Sequence, residues 1–175
     1  MTAIIFHQGK LYGDRKQVTF TNPITYIDGE KIIVSKDKSF AYGVSGKAIT
    51  AVQRDKYEVL IRKVLETMII HGGDRTKLSQ IVGQVDSDID FTNGIICTKD
   101  VQYAIKDAAH VFAVRLDGRT HACGTGGSML ASLMRCGLTP TEAYKRLPQL
   151  DYLSGSVFDV IDTARLKQFV IKGGV

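Results

Sequence analysis

Thr2 follows the initiator methionine, and that methionine is usually trimmed when a small residue comes next. Trimming leaves the threonine hydroxyl beside its own α-amine. Such an amine has a reference pKa of about 7.7–8.0 and can take the hydroxyl proton near neutral pH, so one residue supplies both nucleophile and general base. Gln8-Gly9 reads as a two-residue hairpin turn between runs 2–7 and 10–14, which sets Ala3 opposite Asp14 and Thr2 opposite Arg15. The hairpin thus returns the Asp14 carboxylate toward the N-terminus. Lys31 opens the next strand, and an ammonium beside a hydroxyl or amine lowers the pKa of both. Either charge also suits an ordinary surface.

Other motifs carry less. Gly46-Lys47 looks like the end of a phosphate-binding loop, but Ala41 stands where its first glycine belongs and Ala48 where it needs Ser or Thr. Asp86, Asp88 and Asp90 start like a calcium loop, yet Phe91 replaces the turn glycine and Cys97 the closing glutamate. Gly124-Thr125-Gly126-Gly127 ahead of a helix offers amides to an anion, with close backbone packing as the simpler account. His121 and Cys123 share a strand face with no third ligand nearby in sequence, and read as a buried structural pair. No G-x-S-x-G elbow and no H-E-x-x-H occurs.

The elements that must position these residues follow from periodicity. The first 46 residues read as strands, including 32–34 and 39–44, with a turn at Asn22-Pro23. Tyr57, Leu60, Ile61, Val64, Leu65 and Met68 then step at three and four residues, predicting a helix over about 48–70 that His71-Gly72-Gly73 stops. Arg54, Asp55, Glu58, Arg62, Lys63 and Glu66 fall on its other, polar face. Strand signals return at 94–98, 102–105, 110–116 and 120–123. A helix over 126–136 follows, with Gly137 as its stop. Thr139-Pro140-Thr141-Glu142 is a capping box opening a short helix that Pro148 is expected to end. Closing strands are expected at 157–161 and 169–171. The order suggests an α+β layered domain with helices segregated onto antiparallel sheets.

The chain has 175 residues, 44% apolar, enough for a single domain that buries about 70% of its unfolded surface. Its 23 basic and 18 acidic residues leave +5, and no window collects a run of like charge, so composition makes no case for nucleic acid or membrane. Neither a run of 18 apolar residues nor a signal-peptide pattern is found, and Cys97, Cys123 and Cys136 show no C-x-x-C spacing. A reduced, cytoplasmic, single-domain protein over 1–175 is the expectation.

In this order the residues resemble the proteasome β-subunits and their bacterial relatives, which are N-terminal-nucleophile hydrolases. Thr2-Ala3-Ile4-Ile5 with Gly13-Asp14 looks like the family's opening strand pair, and Gly29-Glu30-Lys31-Ile32 resembles its lysine segment. Gly43-Val44-Ser45-Gly46 is similar to the strand end before the long helix. Gly124-Thr125-Gly126 is similar to the later Gly-Ser-Gly, and Asp151-Tyr152-Leu153-Ser154-Gly155 resembles Asp-x-x-Ser-Gly. The resemblance implies a four-layer αββα sandwich of two antiparallel sheets between helix pairs. It implies a threonine peptidase in which Thr2 attacks the scissile carbonyl, Lys31 held by Asp14 tunes it, and the Gly46 amide receives the oxyanion. Asp151, Ser154 and Thr125 would orient the N-terminus and the water, and Val44 would shape the specificity pocket. It implies no metal or organic cofactor, a peptide or unfolded-protein substrate, a homo-oligomeric ring, and often an ATP-dependent unfoldase as partner. A catalytically inactive scaffold subunit that keeps Met1, and an amidohydrolase of the same class, remain alternatives.

Overall fold

The computed structural model describes residues 2–19, 23–45, 49–72, 74–83, 93–106 and 112–172. Gly46, Lys47, Asp86, Asp88, Asp90 and Met1, as well as the start of the strand expected from 110, lie outside them.

Gln8 and Gly9 both have positive φ (46° and 72°), the geometry that lets a two-residue turn follow the twist of its strands. It joins β1 (Ile4–His7) to β2 (Lys10–Asp14) in the expected register, Ile4 opposite Gly13. An antiparallel ribbon, β3 (Lys16–Thr19) and β4 (Thr25–Asp28), leads to β5 (Ile32–Val34) and β6 (Ala41–Ser45). The long helix is α1 (Ala51–His71), opened by a Thr50–Gln53 capping box and closed by Gly72 at φ 60°. A further helix, α2 (Arg75–Gly83), was not expected; Asp74 caps it, its Oδ1 accepting the Thr76 and Lys77 amides at 2.8 and 3.2 Å.

Strands β7 (Asn93–Cys97), β8 (Gln102–Lys106), β9 (Phe112–Arg115) and β10 (His121–Cys123) precede α3 (Gly124–Arg135) and α4 (Pro140–Leu150); β11 (Phe158–Asp162) and β12 (Lys167–Ile171) close the described chain. Pro148 does not end α4. It sits in the last turn, where losing one amide donor leaves the helix free to run on to Leu150, and the Asp151 amide still reaches Leu147 O at 2.8 Å.

The strands form two five-stranded antiparallel sheets, ordered β10-β1-β2-β11-β12 and β5-β6-β7-β8-β9. Three apolar layers separate four structural ones. Ile4, Phe6, Leu11, Ile32, Ala41 and Ile95 fill the space between the sheets. Ala3, Ile5, Tyr12 and Phe158 meet Leu130, Tyr144 and Leu147 of α3 and α4. Tyr42, Val44 and Ile96 meet Tyr57, Leu60, Ile61 and Val64 of α1, with Leu78 of α2. Strand β1 is therefore covered on both faces, which is why it reads as the unbroken run Ala3-Ile4-Ile5-Phe6 rather than alternating with polar residues. Glu58 departs from the polar face expected of it. It is buried, taking the Lys36 amide at 3.2 Å and Arg54 Nε at 3.1 Å, so burial is matched by hydrogen bonds.

Candidate active site

The hairpin register places Asp14 beside the start of β1. Its amide donates to Ala3 O at 3.0 Å, while its Oδ1 accepts the Ala3 amide at 2.9 Å. The ladder stops there. Arg15 does not pair with Thr2; its amide turns to Val157 O, and its guanidinium holds Asp159 at 3.0 Å and Asp28 at 2.8 Å. That double pair ties the end of β2 to β11 and to the β3–β4 ribbon.

Lys31, just ahead of β5, reaches Asp14 with Nζ at 2.9 Å from Oδ1 and 2.8 Å from Oδ2. The Gly155 amide adds a third donor group to this carboxylate at 3.3 Å. Asp14 is wholly buried and Lys31 nearly so. Burial pushes the Asp14 carboxyl up and the Lys31 ammonium down, and their mutual attraction opposes both shifts. Asp151 also attracts the Lys31 charge, and Lys16 repels it.

Asp151 caps α4 and organises the turn that follows. Its Oδ1 accepts the Leu153 amide at 3.0 Å, and its Oδ2 accepts Ser154 Oγ at 2.6 Å. Thr2, Asp151 and Ser154 are all buried. The glycines of α3 close the assembly. A methyl at Gly126 would lie 2.7 Å from Ser154 Oγ and 2.8 Å from Ala3 Cβ. Gly124 has φ +76° and packs on the Thr2 carbonyl, so only glycine meets both demands. The glycine stretch thus serves close packing of α3 on β1. Thr125 stands exposed between these two glycines.

Gly124→Ala is expected to lower stability by about 2 kcal/mol or more, a thermal midpoint shift of roughly 4–8 °C. Gly118→Ala is the control, because Gly118 has the same φ of +76° with nothing near its missing Cβ. Its cost should be about 1 kcal/mol. Equal shifts in a calorimetric comparison would show that contact with Thr2 adds nothing.

Thr2, Asp14, Lys31, Asp151 and Ser154 therefore converge, joined by hydrogen bonds or by the packing of Ala3, Gly124 and Gly126. Val44 does not join them. It packs with Tyr42 and Tyr57 under α1, on the face of β6 turned away from Gly43 and Ile32. Lys16 and Tyr144 went unnoticed in the sequence. Lys16 donates to Tyr152 O, with its Nζ 4.3 Å above the Tyr26 ring. A cleft of about 490 Å3 opens beside the site, lined by Arg15, Lys16, Tyr26, Asp28, Ser154 and Gly155 among others. A second cleft, about 750 Å3 and lined in part by His7, His121 and Arg135, contains none of the candidate residues.

His121 and Cys123 lie on β10 opposite Phe6 and Ile4. Burial pushes the Cys123 thiol up to about 12, which keeps it protonated and unreactive near neutrality. Among the described residues no group of three or more His, Cys, Asp or Glu is placed to hold a metal ion. Nor is any described helix long and apolar enough to cross a membrane.

Two antiparallel sheets lie between helix pairs in an αββα sandwich, with Thr2 just ahead of β1. Among solved structures the chain is similar to eukaryotic HslV from Trypanosoma brucei, with a TM-score of 0.56 and 16% identity over 91% of this chain and 96% of that one. HslV is a proteasome-type N-terminal-nucleophile hydrolase, and this likeness establishes that the chain has that fold. No family model matches the chain, and no match was found among curated proteins.

Proposed function

We propose that this chain is a threonine peptidase of the proteasome type, active once Met1 is removed and assembled as a homo-oligomeric ring. The observation that carries the reading is the Asp14 carboxylate. Buried between two elements, it accepts the amide that follows Thr2 through Oδ1 and holds the Lys31 ammonium with both oxygens. A buried cation is thereby fixed one residue from the hydroxyl and amine whose pKa values it would lower.

In this mechanism Thr2 Oγ attacks the scissile carbonyl carbon while its proton passes through water to the Thr2 α-amine. The tetrahedral oxyanion is received by the Gly46 amide, an interaction of the kind that contributes about 2.7–4 kcal/mol elsewhere. Collapse breaks the C–N bond, the ammonium returns its proton to the departing amine, and an ester to Thr2 remains. Water, deprotonated by the same amine, then hydrolyses that ester. Asp151, Ser154 and Thr125 orient the N-terminus and this water. Peptides and unfolded proteins are the substrates, and an ATP-dependent unfoldase is the partner that would deliver the latter.

The test has two stages. The intact mass of the native protein, purified from its own source without an N-terminal tag, should lack one methionine. A peptide vinyl sulfone should then form one adduct, mapped to the Thr2 oxygen. A native mass that retains Met1, or a chain starting at Thr2 that takes no adduct, overturns the peptidase reading and leaves an inactive structural subunit of the same fold.

A further inference from the structure

We propose that Tyr144 is a positioning residue for the Thr2 nucleophile, acting through the Ala3 carbonyl; the inference rests on the peptidase reading above. Tyr144 lies midway along α4 and is fully buried. Its ring stacks on Phe158 of β11, with centroids 4.4 Å apart and planes 15° from parallel, and packs beside Tyr12 of β2. This leaves the phenol little freedom, and its hydroxyl donates to Ala3 O at 2.9 Å.

That carbonyl already accepts the Asp14 amide at 3.0 Å, so the strand pairing alone satisfies it. The tyrosine bond adds something the ladder does not need, a second anchor from a different layer of the fold. Together with the Ala3 amide on Asp14, it pins the residue after Thr2 at both of its backbone polar groups.

The helix that supplies this anchor also ends at Asp151. Tyr144, Leu147 and Asp151 recur at three- and four-residue steps, so they share the helix face turned to the sheet, where Tyr144 and Leu147 join the apolar layer. One rigid segment of two turns therefore bears on the start of β1 at one end and holds Ser154 at the other. Its length fixes how far the Asp151–Ser154 pair stands from the nucleophile's strand. Reacting groups need such fixed spacing, since a displacement of about 1 Å can lower a rate about a hundredfold.

Tyr144→Phe removes the hydroxyl and keeps the stacked ring, so the fold should survive. In chains shown by mass to begin at Thr2, the variant should be alkylated by the peptide vinyl sulfone about tenfold to a hundredfold more slowly. Peptide KM should hold while kcat falls, and the Ala3 amide should exchange its hydrogen faster with Ile95 and Ile96 unchanged. Alkylation at the wild-type rate, or unaltered exchange at Ala3, overturns the inference while the peptidase reading stands. A wild-type chain that begins at Thr2 and is never alkylated by the vinyl sulfone overturns both.

Discussion

Thr2→Ala is expected to abolish peptide cleavage, a loss on the order of 10^6 in kcat where removal of a covalent nucleophile has been measured in other hydrolases. The substitution isolates one atom group. Alanine is small enough for methionine to be trimmed ahead of it, so the variant keeps a free α-amine in the same place and lacks only the hydroxyl and its methyl. Thr2 is buried, and the deleted atoms should cost about 1 kcal/mol, or roughly 2–4 °C in thermal midpoint. The packing of Gly124 on Thr2 involves chiefly its carbonyl, which alanine retains. Activity and stability should therefore separate cleanly. Thr2→Ser supplies the converse check, since it restores a hydroxyl and should restore measurable cleavage. Full activity in the alanine variant would end the peptidase reading, because no other described residue combines nucleophile and base at this position.

Much of the site could be read from the sequence because local rules specify it. Gln8-Gly9 sets the hairpin and its register, and register alone brings Asp14 to Ala3. The Thr139 capping box and its proline fix where α4 begins. What stayed hidden depends on contacts between distant segments. The packing of Val44 with Tyr42 and Tyr57 under α1 is one such contact, since alternation does not say which face of a doubly covered strand meets which layer. Glu58 looked solvated because its partner, the Lys36 amide, belongs to a turn 22 residues earlier. Helix α2 is short and weakly patterned, and only Asp74 before Leu78 announced it. Tyr144 gives no signal in the sequence because its hydroxyl meets a backbone carbonyl, and no residue type marks such a partner. Lys16 escaped for the same reason, bonding Tyr152 O. The Asp151–Ser154 pair was legible only through family resemblance, since nothing local ties that turn to Thr2.

Lys31→Met is expected to be the most destabilising substitution in the site. It preserves length and removes the charge, leaving the Asp14 carboxylate buried without the cation that contacts both of its oxygens. Removing one partner of a buried pair costs about 3–5 kcal/mol, which for a chain of this size is a midpoint shift of roughly 6–20 °C. The sign of its pH dependence follows from Asp14. Burial already raises that carboxyl, and Lys31 is the chief influence holding it down. Without the lysine, the folded-state pKa climbs further above the unfolded value of about 3.9. A group raised on folding contributes stability that is full below its unfolded pKa and is lost as pH rises through its folded pKa. The variant should therefore fall furthest behind wild type at neutral and alkaline pH and recover toward pH 4. Asp14→Asn combined with Lys31→Met should regain much of the loss at pH 7, because asparagine buries no charge and its amide oxygen can still accept the Ala3 amide. A single variant equally destabilised from pH 4 to pH 8 would mean that the lysine contributes packing rather than charge. The pair's part in lowering the pKa values at Thr2 would then have no electrostatic basis.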